Sequence, residues 1–250
     1  MRAIVLALLL LIPLGAAPVA AQPGTERRTV VDPTGRTVQV PADPRRVVAL
    51  APSVTEIVYA LRQEVRLVGV TRYSNYPPAA EQLPTVGSYI QLDVERIVAL
   101  RPDLCIAVKD GNPIAQVEQL QAMDLPVYAV NPYDLETVMR SVLALGGLLG
   151  AEPQAQTVVA DMRRRIQRVQ TRVAQADHHP RLFFQIGVSP IVSVGSDTFI
   201  HTLITLAGGT NVAAGATPYP RYSREQVIGL APEVIVISAM ERATLFEQVK

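Results

Sequence analysis

Two glutamates stand at the same place in two similar segments of the chain. Glu95 lies in DVERIVALRPDLCI, residues 93–106, and Glu225 lies in SREQVIGLAPEVIV, residues 223–236. Each precedes an apolar helical pattern, a proline and an apolar strand pattern. The helix dipole favours a carboxylate in a first helical turn, and an exposed carboxylate can accept two parallel hydrogen bonds from a guanidinium group. The chemistry available to this pair is therefore the recognition of arginine.

The sequence offers little chemistry for catalysis. It contains no nucleophile elbow, phosphate-binding loop, dinucleotide fingerprint or H-E-x-x-H motif. The histidines are His178, His179 and His201, and the first two are adjacent, which suits neither a catalytic triad nor a metal site with separated ligands. We therefore predict no catalytic residues, no metal centre, no resident cofactor and no enzyme activity.

Composition narrows the class of protein further. The chain has 250 residues, of which 49% are hydrophobic, and its 23 basic and 22 acidic residues are mixed along the length. A chain of this length can form two small lobes, and it lacks the basic stripe that nucleic acid needs. The single cysteine, Cys105, lies in the apolar run LCIAV and is predicted to be a core residue without a disulfide partner.

The first 21 residues have the pattern of a cleaved signal peptide. A positive end is followed by an apolar run too short to span a membrane and by small residues before Gln22. No cysteine stands at the cut, which disfavours a lipid anchor. The pattern predicts an exported protein located in the periplasm.

The segment 22–148 alternates strand and helix patterns. Apolar runs predict strands within 45–53, 66–71, 104–108 and 125–130, with helices at about 94–101 and 113–123. Ser53 and Glu56 have the spacing of a capping box and predict a helix start at Ser53. This alternation is typical of an α/β lobe with a parallel sheet.

A long helix and a second lobe follow. Residues 149–179 contain a helical pattern with an apolar stripe whose members recur every three or four positions: Val158, Met162, Ile166, Val169 and Val173. Strand patterns resume within 181–187, 190–195 and 233–238, so residues 180–250 form a second α/β lobe. The fold class predicted is α/β, with two Rossmann-like lobes built on parallel-rich sheets and joined by one backbone helix.

The chain resembles the periplasmic binding proteins of ABC importers that use a rigid helical backbone. The similarity lies in VVALAPSVTEIVYAL, VGVTRYSNYPPAAEQLPTVGSY, DVERIVALRPDL, FFQIGVSP, LAGGTNV and PYPRYSREQVIGLAPEVIVIS, which occur in the family's order. Within that family the segments are most similar to those of the cobalamin-binding members. The resemblance implies a monomer that delivers a ligand to a membrane permease, with Glu95 and Glu225 docking onto the permease's arginine pockets.

The resemblance also implies a ligand cleft between the lobes. The positions that match its lining are Tyr73, Tyr89, Val108, Ile191, Val192 and Tyr219. The tyrosines suit a corrinoid, because each combines a flat apolar ring with a hydroxyl group. The three aliphatic residues stand where the cobalamin-binding members have aromatic side chains.

Other ligands and roles stay open on the sequence. Haem-binding relatives use a tyrosine as an axial iron ligand, and Tyr89 is similarly placed in this sequence. Siderophore-binding relatives carry arginines that bind anionic chelates, and Arg72 or Arg221 could have that role here. A periplasmic enzyme or a sensory module without transport is a more remote reading. Because only twelve residues follow the second copy of the repeat and its strand, the C-terminal lobe is expected to be incomplete.

Overall fold

The computed structural model of the protein describes residues 26–238, which form two α/β lobes joined by one long helix. The predicted signal peptide, residues 1–21, lies outside that range. So do residues 239–250, on which the expected incompleteness of the second lobe depends. None of the helices within 26–238 is both long enough and apolar enough to cross a membrane.

The first lobe contains a four-stranded sheet in which every pairing is parallel. The strands of this lobe are β1 (Arg27–Val31), β2 (Thr37–Pro41), β3 (Val47–Ala49), β4 (Leu67–Gly69), β5 (Gly87–Ser88), β6 (Gln91–Leu92), β7 (Leu104–Val108) and β8 (Val127–Val130). The order of strands in the four-stranded sheet is β4-β3-β7-β8. The helices of this lobe are α1 (Pro52–Ala60), α2 (Val94–Ala99), α3 (Ile114–Ala122) and α4 (Leu135–Leu149).

Successive residues of the central strands enter two different cores, because side chains alternate across a sheet. In β3, Val47 and Ala49 pack in the core that includes α1 and α4, whereas Val48 packs in the core that includes α2 and α3. Cys105 of β7 lies in the second core and is fully buried, which confirms its predicted core position. Burial raises the pKa of its thiol to about 12, and the nearby Asp103 adds to the shift.

The start of α1 differs from the sequence prediction. The helix begins at Pro52 with Ala51 as its N-cap, and no side chain caps it. Proline is favoured in the first helical turn, where its missing N–H group has no partner to lose. The capping box predicted at Ser53 and Glu56 is therefore wrong: the N-cap is Ala51, two positions earlier, and it is not capped by a side chain.

Strands β1 and β2 form an antiparallel hairpin that is not among the elements predicted from the sequence. The turn between them, Asp-Pro-Thr-Gly, has residues that are typical of a tight turn. Asp32 at its tip is 3% exposed and accepts hydrogen bonds from the backbone N–H groups of Thr34 (2.9 Å) and Arg36 (3.1 Å). It also accepts two bonds from the Arg36 guanidinium and one, at 3.3 Å, from the N–H of Ala129 in β8. The hairpin is thus fastened to the edge of the sheet through one buried carboxylate.

Helix α5 (Glu152–Val173) lies within the segment predicted to join the lobes. In the predicted apolar stripe, Val158, Met162 and Ile166 are half-buried against the core of the first lobe. Val173 at the other end contacts the second lobe, since a methyl group added at Gly208 would lie 3.0 Å from it. The helix therefore packs on one lobe along its first half and meets the other at its end.

The second lobe has a mixed sheet centred on β9 (Arg181–Gly187). Strand β13 (Val234–Ile237) pairs in parallel with one edge of β9. The other edge of β9 pairs with β11 (Thr210–Asn211) in parallel and with β10 (Ile191–Ser193) in the antiparallel direction. Strand β12 (Arg221–Tyr222) extends the sheet beyond β10, and the helices are α6 (Phe199–Leu206) and α7 (Arg224–Gly229). The two-lobed α/β class predicted from the sequence is confirmed, while the exact domain boundaries stay predictions.

Candidate ligand-binding and docking sites

Three of the predicted ligand-binding residues lie at the carboxyl end of the parallel sheet. Val108 ends β7, Tyr89 occupies the turn between β5 and β6, and Tyr73 lies in the loop that follows β4. All three are partly exposed. Loops at the carboxyl ends of parallel strands are the usual place for ligands in α/β proteins, so their position suits binding.

Tyr89 and Val108 lie next to each other across a glycine. A methyl group added at Gly111 would stand 3.4 Å from Cδ2 of Tyr89 and 3.8 Å from Cβ of Val108. The aromatic ring therefore lies along the backbone at Gly111. Both side chains therefore lie within van der Waals reach of the same backbone position at the end of the sheet.

The side chain of Asn112 fixes this arrangement. Its Nδ2 donates to the carbonyl oxygens of Leu50 (2.7 Å) and Tyr89 (2.8 Å), and its Oδ1 accepts from the N–H of Val108 (2.8 Å). Asn112 is only 8% exposed, so water does not compete for these bonds. The sequence reading missed this residue, because an asparagine after a strand gives no signal of which loops it joins.

Replacing Asn112 by alanine should lower the free energy of unfolding by about 2 to 3 kcal/mol, because three buried backbone groups lose their partner. The turn that carries Tyr89 should loosen at the same time. Chemical denaturation measures the first effect. The matched control is Asn75→Ala, on the exposed loop beyond Tyr73, which should change stability by less than about 0.5 kcal/mol. Equal losses in the two variants would contradict the role given to Asn112.

The loop that carries Tyr73 is held on both sides. The N–H of Arg72 donates to the carbonyl of Gly87 at 2.8 Å, which ties this loop to the turn of Tyr89. On the other side, the buried hydroxyl of Ser74 lies 3.0 Å from that of Thr55 and 3.1 Å from that of Thr71. Arg72 and Ser74, the residues on either side of Tyr73 in the sequence, are therefore both held by hydrogen bonds, and Tyr73 itself is partly exposed.

The other three predicted ligand-binding residues lie together in the second lobe. Ile191 and Val192 form the start of β10, where they pair with Tyr222 and Arg221 of β12. Tyr219 lies two residues before β12 and is 59% exposed. The six residues therefore form two clusters, one in each lobe.

None of five well-formed cavities among residues 26–238 is lined by residues of both clusters. Val108 lines a cavity of about 210 Å³ together with Lys109, Asn112 and Ile114, and the tyrosines are absent from its lining. The assignment of the six residues to one ligand site therefore stays a prediction.

Both predicted docking glutamates are exposed in the first turn of a short helix. Glu95 lies in α2, whose N-cap Asp93 accepts a hydrogen bond from the N–H of Arg96 at 3.0 Å. Glu225 lies in α7, whose N-cap Ser223 exchanges hydrogen bonds with Gln226 in a capping box. A hydrogen bond from Ser223 holds the pKa of Glu225 below its usual value.

The three histidines have separate partners. Nε2 of His178 lies 2.7 Å from Oε2 of Glu233, Nδ1 of His179 lies 2.8 Å from the carbonyl oxygen of Gly208, and His201 lies beside Asn211. Within residues 26–238 no three metal-ligating side chains are grouped around a common point. The two arginines considered for an anionic chelate, Arg72 and Arg221, are both exposed.

A family profile and individual relatives both match this chain over most of its length. The profile of the periplasmic binding protein family matches residues 47–250. The vitamin B12-binding protein of Yersinia pestis (strain Pestoides F) is 34% identical over 197 residues, which cover 78% of this chain and 70% of the relative.

Two solved structures are similar over most of the chain. The periplasmic vitamin B12-binding protein of Vibrio cholerae has a TM-score of 0.71 and 31% identity, covering 82% of this chain and 79% of that one. A periplasmic haem-binding protein from Pseudomonas aeruginosa has a TM-score of 0.74 and 30% identity, covering 82% and 77%.

Proposed function

The chain belongs to the periplasmic binding protein family of ABC transporters, and from this premise we propose that it captures a corrinoid between its lobes and delivers it to a membrane permease. The observation that carries the choice of ligand is the 34% identity with vitamin B12-binding proteins over 78% of the chain. The family consists of transport proteins, so the proposed role is binding without catalysis. The protein would act as a monomer in the periplasm.

The residues at the proposed site suit a large ring with apolar faces and a polar rim. The ring of Tyr89 and the side chain of Val108 offer a flat apolar surface, and Tyr73 adds a second ring with a hydroxyl group. Ile191 and Val192 supply aliphatic area from the other lobe. Aliphatic residues bury a ligand without the directional preference of aromatic stacking, so they tolerate variation in ring substituents.

Haem is the second candidate ligand. The similarity to a haem-binding protein favours it, and so does Tyr89, since a phenolate can serve as an axial ligand of ferric haem. The two candidates use Tyr89 differently: a corrinoid needs its flat ring, whereas haem iron needs its oxygen.

Titration of the purified protein with cyanocobalamin and with haemin, followed by absorption spectroscopy, tests the proposal. We expect saturable binding of one cyanocobalamin per chain. Tyr89→Phe keeps the ring and should change the affinity for cyanocobalamin less than about threefold, while Tyr89→Ala should weaken it by about tenfold or more.

The same pair of variants identifies the alternative. If haemin binds through Tyr89, Tyr89→Phe abolishes the iron–phenolate absorption band that the wild type shows. Failure of the wild type to bind either probe would overturn both ligands.

A further inference from the structure

The helices that carry the two glutamates end in the same unusual way. Helix α2 is followed by Arg101 with a φ of 49°, and α7 is followed by Ala231 with a φ of 44°. A left-handed residue ends a helix, and the last carbonyl groups of that helix then need partners from elsewhere. In both lobes the partner is an arginine.

In the first lobe this arginine is Arg46, which directly precedes β3. Its Nε donates to the carbonyl oxygen of Arg101 at 3.0 Å, and its Nη2 donates to that of Leu100 at 2.6 Å. The backbone N–H of Arg46 in turn donates to the carboxylate of Asp103 at 3.0 Å.

In the second lobe Arg181, the first residue of β9, repeats each of these bonds. Its Nε donates to the carbonyl oxygen of Ala231 at 3.2 Å, and its Nη2 donates to that of Leu230 at 2.6 Å. Its backbone N–H donates to the carboxylate of Glu233 at 3.1 Å. We call these two arrangements, Arg46 with Asp103 and Arg181 with Glu233, the twin clamps.

We infer that Arg46 and Arg181 are positioning residues of the permease-docking surface. This inference rests on the proposed function, because it assigns the docking role to Glu95 and Glu225. Each helix has six residues and is about 9 Å long, too short to hold its direction by its own hydrogen bonds. Its direction therefore depends on what fixes its ends, which are the N-cap at the glutamate end and the clamp at the other, in addition to any packing of its side chains.

The two lobes depend on their clamps to different degrees. Helix α2 buries Val94 and Ile97, so packing also holds it. Helix α7 buries no residue among those the structure describes. The second clamp has an additional partner, His178 on the segment after α5, which is bonded to Glu233. The orientation of Glu225 therefore relies on Arg181 more than that of Glu95 relies on Arg46.

Hydrogen–deuterium exchange on the whole protein tests the clamps directly. Arg181→Met keeps the aliphatic stem and removes the donors, and we expect amide exchange in α7 to become about tenfold faster or more. Arg46→Met should accelerate exchange in α2 by a smaller factor. The matched control is Arg45→Met, since the Arg45 side chain is bonded to Asp43 and to neither helix, and it should leave both helices unchanged. Unchanged exchange in α7 of Arg181→Met would overturn the inference.

Import of cyanocobalamin by spheroplasts of the native host, supplied with purified protein, separates positioning from mere structural support. The concentration of Arg181→Met that gives half-maximal import should rise by about tenfold, while its affinity for cyanocobalamin stays within about twofold of the wild type. Arg181→Lys, which retains one cationic donor group, should recover part of the loss.

The failures of the two proposals are distinguishable. If the double charge reversal of Glu95 and Glu225 blocks import but Arg181→Met imports like the wild type, the clamp is structural and the inference is overturned while the proposed function stands. If the wild type delivers no cyanocobalamin, the proposed function is overturned, and the inference with it.

Discussion

Glu95→Arg combined with Glu225→Arg should abolish import while the isolated protein binds its ligand with unchanged affinity. Both carboxylates are exposed at the starts of α2 and α7, outside both clusters of predicted ligand-binding residues. In the proposed docking role, their reversal would place like charges against arginine pockets of the permease, and like charges in contact cost several kcal/mol at an interface. Uptake of labelled cyanocobalamin measures the first effect, and titration of the purified variant measures the second.

A glutamate in the same local setting provides the control. Glu152 is exposed in the first turn of α5, the helix between the lobes, so Glu152→Arg changes the same charge at a similar helix position. This variant should import like the wild type. Each single reversal of Glu95 or Glu225 should give an intermediate rate, because the unchanged carboxylate can still pair at its own end of the docking surface and only the other end carries the repulsion. A double variant that has lost its ligand affinity would argue against docking as the role of the pair.

Asp32→Ala should lower the free energy of unfolding by about 2 to 4 kcal/mol, the largest stability effect that we expect from one polar side chain in this protein. The carboxylate is buried and is the shared acceptor for Thr34, Arg36 and Ala129, so its loss leaves their N–H groups without a partner. Chemical denaturation measures the change. The control is Asp43→Ala: Asp43 also binds two arginines, Arg45 and Arg66, but is half exposed, and its loss should cost less than about 1 kcal/mol.

The contribution of Asp32 also depends on pH in a defined direction. Burial by itself raises the pKa of this carboxyl, but hydrogen bonds from Thr34 and Arg36 outweigh it and hold the pKa below the ordinary value of 3.8. A depressed pKa stabilises the folded state above the pKa of the unfolded chain, and that contribution is lost as the pH falls through the folded pKa. The difference in stability between wild type and Asp32→Ala should therefore be full at neutral pH and shrink in acid below pH 3.8. A difference that grows on acidification would contradict this sign.

The local pattern of the chain was sufficient to predict most of the elements that carry the candidate sites. The apolar runs predicted at 104–108 and 181–187 became β7 and β9 with those bounds. The run at 104–108 is informative because β7 is buried on both faces, and such a strand needs an almost continuous series of apolar residues. The prediction from local pattern was wrong at Ser53. The capping motif predicted that the helix starts there, but α1 begins at Pro52, because proline is favoured in a first helical turn.

Repetition in the sequence predicted the paired helices, but it could not predict what holds them. Arg46 and Arg181 lie about fifty residues from the carbonyl groups that they bind. In the sequence, an arginine at the start of a strand cannot be distinguished from an ordinary surface residue, because the helix end that it binds is distant along the chain. The same holds for Asn112, whose bonded partner Leu50 is 62 positions away.

Local periodicity and the order of short motifs are sufficient to predict the family, the two α/β lobes, the long helix between them and the pair of glutamates. The polar contacts depend instead on the folded chain, which brings together Asp32 and β8, Asn112 and the backbone groups that it binds, and the twin clamps and the ends of α2 and α7. Hydrogen-bonding groups that leave water need partners, and those partners are selected by proximity in space, whatever their distance along the sequence.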